Sequence, residues 1–136
     1  MTPLATAATP PPAPLHLACL CAAWCRTCDA YRATLDGVVA ELVDLGTLHP
    51  ARWIDIEDEA GLVGDVDIET FPTLLVYDDA GRVRFAGPVT PQPETLRRLL
   101  LSLSAHAGPA RDLPDEIAQL ALRLLAQTAA RGPDRG

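Results

Sequence analysis

Trp24-Cys25-Arg26-Thr27-Cys28 places two thiols two residues apart, a spacing at which a cysteine pair can open and close a small disulfide. The stretch lies between an apolar run and a segment of helical periodicity, so Cys25 falls where a strand hands over to a helix. Unpaired N–H groups and the helix dipole favour a negative sulfur there, and Arg26 adds a positive charge next door. A free cysteine with a pKa of about 8.5 is only a few per cent thiolate at neutral pH, whereas a pKa of about 7 makes half of it reactive. Cys25, nearest the exposed turn, is expected to attack, and Cys28, one helical turn in, to resolve the mixed disulfide. A second signal, Thr70-Phe71-Pro72-Thr73, stands at the start of another apolar run.

Two more sulfurs, Cys19 and Cys21, precede the pair. As i and i+2 of a strand they share one face, about 6.6 Å apart by the strand rise, at the strained end of the disulfide range. They read either as small buried hydrophobes or, for Cys19, as an auxiliary redox sulfur exchanging with Cys28. The four together, C-x-C-x3-C-x2-C, are enough for a metal or iron–sulfur site. Against that, a strand is expected to direct Cys19 and Cys21 away from the helix start, and no second CxxC follows. The histidines read as incidental: His16 in a strand, His49 in a loop, His106 near a helix end. Asp55, Glu57, Asp58 and Glu59 read as a solvated cluster without calcium-loop spacing. No metal or organic cofactor is expected.

Composition bounds the remaining possibilities. A chain of 136 residues, 49% hydrophobic and 21% charged, suits one folded domain with a real core rather than global disorder. A net charge of −7 argues against a nucleic-acid surface, which needs a basic stripe. All eleven cations are Arg, which excludes lysine-based catalysis. No run approaches the ~18 apolar residues that span a bilayer, and residues 1–10 have neither a basic n-region nor an unbroken apolar h-region. A cytoplasmic location is expected, where paired cysteines read as catalytic or metal-binding rather than structural.

The elements that position these residues follow in order. Residues 1–14 hold five of the thirteen prolines and read as a flexible arm. Residues 15–21 are apolar on both faces, the pattern of a strand inside a sheet. A helix follows from Cys25, with Tyr31, Leu35, Val38, Val39 and Leu42 on one side and its end before Gly46. Residues 52–56 and 73–77 read as strands, the acidic connection 57–67 as holding a short helix, and Asp78-Asp79-Ala80-Gly81 as a turn. Residues 82–86 alternate, predicting an edge strand antiparallel to 73–77. Residues 94–106 form a helix with Leu96, Leu99, Leu100 and Leu103 on one face. After Gly108-Pro109, a last helix (114–130) carries a stripe of Ile117, Leu120, Ala121, Leu124 and Leu125. That stripe must be covered by this domain, by a partner or by a second copy.

The Trp-Cys-x-x-Cys motif with a later apolar-Pro-Thr resembles the thioredoxin family over residues 15–107. Leu35-Asp36, Asp55-Ile56, Ile68, Gly81 and Gly87 also fall where that family has matching residues. The resemblance implies an α/β fold, thioredoxin-like, with a central mixed four-stranded sheet flanked by helices, here with an extra C-terminal helix (108–136). It implies a thiol–disulfide oxidoreductase in which Cys25 and Cys28 exchange with protein disulfides, acting as a reductant. A reductase or small thiol would resupply electrons. It further implies a cis Pro72 against the CxxC, with Phe71 offering its backbone to a substrate peptide and Trp24, Arg26 and Thr27 completing the surface. The chain departs from the family in several places. Arg26-Thr27 replaces the usual Gly-Pro, which predicts a more oxidising potential. Cys19 and Trp53 stand where a buried acid and its lysine partner are common, which predicts slower resolution by Cys28. Ala33 replaces a kinking proline, and the family's first strand and helix have too little sequence to form. Two other readings stay open: a non-catalytic thioredoxin-fold binding or redox-sensing module, and a four-cysteine metal-binding protein.

Overall fold

A strand with no polar face has to lie between other strands, and in the computed structural model residues 16–21 do so. The structure describes residues 14–22, 26–59, 61, 64, 73–88, 90, 92–105 and 113–131, with backbone alone for 27, 28 and 128–131. Strand β1 (His16–Cys21) is buried along its whole length. Helix α1 (Arg26–Asp44) follows it, then strands β2 (Arg52–Asp55), β3 (Thr73–Tyr77) and β4 (Val83–Pro88), and helices α2 (Pro93–Ala105) and α3 (Asp115–Arg131). The four strands make one sheet in the order β2-β1-β3-β4. β1 runs parallel to β2, Cys19 beside Trp53, and antiparallel to β3, Leu20 beside Thr73. β3 and β4 are antiparallel, with an irregularity at Val76/Tyr77.

Alternation along β1 sends its side chains to two different cores. Leu17, Cys19 and Cys21, with Leu74 and Val76 of β3, meet Tyr31, Leu35, Val38 and Leu42 of α1 and Leu96 and Leu100 of α2. Ala18 and Leu20, with Ile54, Leu75 and Tyr77, meet Leu120, Ala121 and Leu124 of α3. Each buried leucine contributes about 1.5–3 kcal/mol, so both faces are needed to hold so small a sheet. The stripe on the last helix is therefore covered by this chain's own sheet, and the apolar face offered for docking is occupied.

Two glycines fix the geometry at element ends. Gly46 takes φ 80°, and the backbone turns so that Gly46 N–H donates to the Val43 carbonyl and Thr47 N–H to that of Leu42, ending α1. Gly81, at φ 84°, closes the β3–β4 turn directly under α3, where a Cβ would run into Leu122. α1 and α2 are clamped by Arg97, whose guanidinium donates to both oxygens of Glu41 at 2.9–3.2 Å.

β3 spans the residues expected of it. β4 runs on to Pro88, because Gly87 and Pro88 continue the ladder against Leu74 and Thr73, and an edge strand tolerates proline at its end. α2 begins at Pro93, a first-turn position at which the missing N–H costs nothing. The arm before residue 14, the break at Gly108-Pro109 and nearly all of the 60–72 connection lie outside the described residues. Among the described residues no helix is long and apolar enough to cross a membrane.

Candidate redox site

β1 ends at Cys21 and α1 begins at Arg26, so the chain passes from the interior of the sheet to a helix N-terminus within the cysteine motif. Arg26 is exposed at the first position of α1. Thr27 and Cys28 are in its first turn, where the backbone alone is described. Trp24, Cys25, Phe71 and Pro72 lie outside the described residues. β3, which starts at Thr73, pairs with β1 through Thr73 and Leu20.

The floor beneath this corner is apolar and sulfur-rich. Cys19 and Cys21 hold their sulfurs 3.5 Å apart, closer than the strand rise alone suggests. Their face is the one that the body of α1 covers, through Tyr31 and Leu35; the side chains of Cys25 and Cys28, from which they are expected to point away, lie outside the described residues. The pleat that carries Leu17 into the α1 core carries Cys19 and Cys21 with it. The Tyr31 hydroxyl is buried with no hydrogen-bond partner among the described residues. Burial, and then the neighbouring sulfurs of Cys19 and Cys21, hold it well above the usual tyrosine range, so it stays a neutral donor. Periodicity marks Tyr31 only as core; its place three residues after Cys28 was the available hint.

Between the first turns of α1 and β2 lies a groove of about 460 Å³ lined by Cys21, Ala22, Asp29, Arg32, Trp53 and Asp55, among others. Arg32 holds its guanidinium 4.8 Å from the centre of the Trp53 ring, a cation–π contact. The Asp55 carboxylate accepts from the N–H groups of Glu57 and Asp58 at 2.8 and 3.1 Å, and Glu59 pairs with Arg52 at 3.1 Å. These carboxylates hold the loop that forms the groove wall. Asp29 and Arg32, one turn into α1, were not singled out from the sequence, because nothing in a helical stripe says which polar residue faces a neighbouring strand.

A mixed sheet with this order, one parallel pair, and a helix leaving the end of an interior strand at the cysteine motif define a thioredoxin-like fold. Solved structures agree. Chloroplastic thioredoxin z matches with a TM-score of 0.56 at 16% identity over 68% of this chain and 80% of its own. The germline-specific thioredoxin Deadhead of Drosophila melanogaster matches with a TM-score of 0.56 at 16% identity over 66% and 81%. Mitochondrial thioredoxin 3 of Saccharomyces cerevisiae matches with a TM-score of 0.54 at 13% identity over 66% and 79%. Neither a protein-family model nor a curated protein sequence matches the chain.

Proposed function

We propose that this protein is a thiol–disulfide oxidoreductase that reduces disulfides of protein substrates in a reducing compartment such as the cytoplasm. The Cys25 thiolate attacks a substrate disulfide, forms a mixed disulfide and releases one substrate thiolate. The Cys28 thiolate then attacks Cys25 Sγ, releases the second substrate thiolate and leaves a Cys25–Cys28 disulfide. A small thiol or a reductase returns two electrons to reset the pair. One observation carries the reading. In a thioredoxin-like fold, the CxxC of this chain falls at the step from an interior strand to the first residue of α1, where a helix N-terminus favours a thiolate. The groove walled by Arg32, Trp53 and Asp55 at the start of α1 offers a bed for the substrate chain.

Reduction of insulin with a small dithiol as donor tests this. Turnover that is lost in C25S supports an enzyme. Peptide binding without turnover instead makes the chain a binding or sensing module.

A further inference from the structure

Two of the histidines that read as incidental meet at the other end of β1. His16 and His49 stack with ring centroids 4.1 Å apart and 19° between planes. Tyr77 lies on His16 at 5.0 Å and 8°. Asp79 completes the group: its Oδ1 is 2.7 Å from Nε2 of His16 and 3.5 Å from Nε2 of His49. One donor atom from each of the three residues lies within 4.8 Å of the others. We propose that His16, His49 and Asp79 form a binding site for a divalent transition-metal ion, with Zn²⁺ as its natural occupant and water as the fourth ligand.

Three observations carry this. The donors are those of open zinc sites, imidazole nitrogen and carboxylate oxygen. Bonds of about 2.0–2.1 Å place tetrahedral ligands about 3.3 Å apart, and the present 2.7 and 3.5 Å separations bracket that value. Second, Nε2 of His49 is a buried nitrogen with no hydrogen-bond partner among the described residues, the Asp79 oxygen standing off at 3.5 Å. Third, the site is held in place by backbone. His49 N–H donates to the Leu15 carbonyl at 2.9 Å, beside His16. His16 pairs with Tyr77 across β1 and β3. The Asp78 carboxylate accepts from the N–H groups of Ala80 and Arg82 at 3.0 and 2.9 Å, which sets the turn that carries Asp79.

His16, with 10% of its side chain exposed and Tyr77 on its far face, is the fixed ligand. His49, at 39%, swings out of the stack so that the two lone pairs converge. The ion takes the place of the hydrogen between His16 Nε2 and Asp79 Oδ1, and the ligating imidazole, neutral, keeps its one ring proton on Nδ1. His16 is about 16 Å from Cys21 by the strand rise, too far to share an ion with that thiol. The site would clamp the start of β1, the loop before β2 and the β3–β4 turn together.

The test is zinc calorimetry on the full chain carrying C25S and C28S, which removes the competing thiols of the motif. The expected result is a single zinc ion bound, with an affinity that falls at least about tenfold on adding either H49A or D79A. Failure to bind zinc, or a smaller loss in either variant, overturns the proposal. A readout on the wild-type chain does not depend on variants folding: zinc should shift the imidazole NMR signals of His16 and His49 and spare those of His106. Unmoved His16 and His49 signals overturn it equally.

Discussion

Cys19 pairs with Trp53 in the parallel register of β1 and β2, fully buried, with the indole packed against the same core. The pair of positions that the thioredoxin resemblance singles out for a buried acid and its lysine is thus brought together here with two neutral side chains. A charge at Cys19 would be buried among apolar side chains of the α1 core. C19D is expected to cost about 3 kcal/mol or more, and C19A, which removes only a small buried group, about 1 kcal/mol. Urea unfolding of the two variants side by side checks this; equal losses would show that the site is wetter than its burial implies.

Arg26 stands exposed at the first position of α1, adjacent in sequence to Cys25. Reversing its charge should remove a stabilising field of about 0.3–1 kcal/mol from the thiolate. In R26E, iodoacetamide alkylation of Cys25 below neutral pH should therefore slow about twofold to fivefold. The wild-type midpoint against glutathione should lie above the roughly −270 mV of ordinary thioredoxin. A midpoint at or below that value, or an unchanged alkylation rate, removes Arg26 from the account.

His16 makes stability depend on acid. Burial lowers its pKa from the ordinary 6.5; the hydrogen bond to Asp79 opposes this, His49 adds to it, and the charges of Asp79 and Asp78 oppose it. Tyr77, stacked on the ring, is itself pushed up to about 12 by burial and stays neutral throughout. Near pH 6.5 the unfolded chain takes up a proton that the folded chain resists, so the unfolded state binds more protons and stability rises with pH. The contribution is complete above 6.5 and is lost as pH falls through the lower folded value. The urea midpoint, measured without added metal, should fall from about pH 7 to about pH 5, and H16Q should flatten that slope. An identical slope in H16Q assigns the effect elsewhere.

α3 closes the second core over Leu20, Ile54 and Leu75, so residues beyond 107 belong to the folding unit. L124A, at a fully buried position, should cost about 2–5 kcal/mol. A chain ending at residue 107 should lose cooperative thermal unfolding and bind a hydrophobic dye. A cooperative, dye-silent melt of the shortened chain would make α3 an ornament.

Local pattern carried much of this architecture. β3 could be read to the residue because an unbroken apolar run between turn signals has one physical solution, and the end of α1 to within a residue or so because its stripe stops at a glycine that must turn left-handed. The Cys25–Cys28 spacing is likewise a property of neighbours in the chain, legible without coordinates. What folding alone settled are the meetings between distant segments. His16 and Asp79 are 63 residues apart, and each taken singly is an ordinary strand or turn residue. That Cys19 and Cys21 face α1, and that α3 lies over the opposite face, depends on how the pleat of β1 is phased against two helices. Periodicity tells which side chains share a face, but only packing against a particular neighbour decides what that face meets.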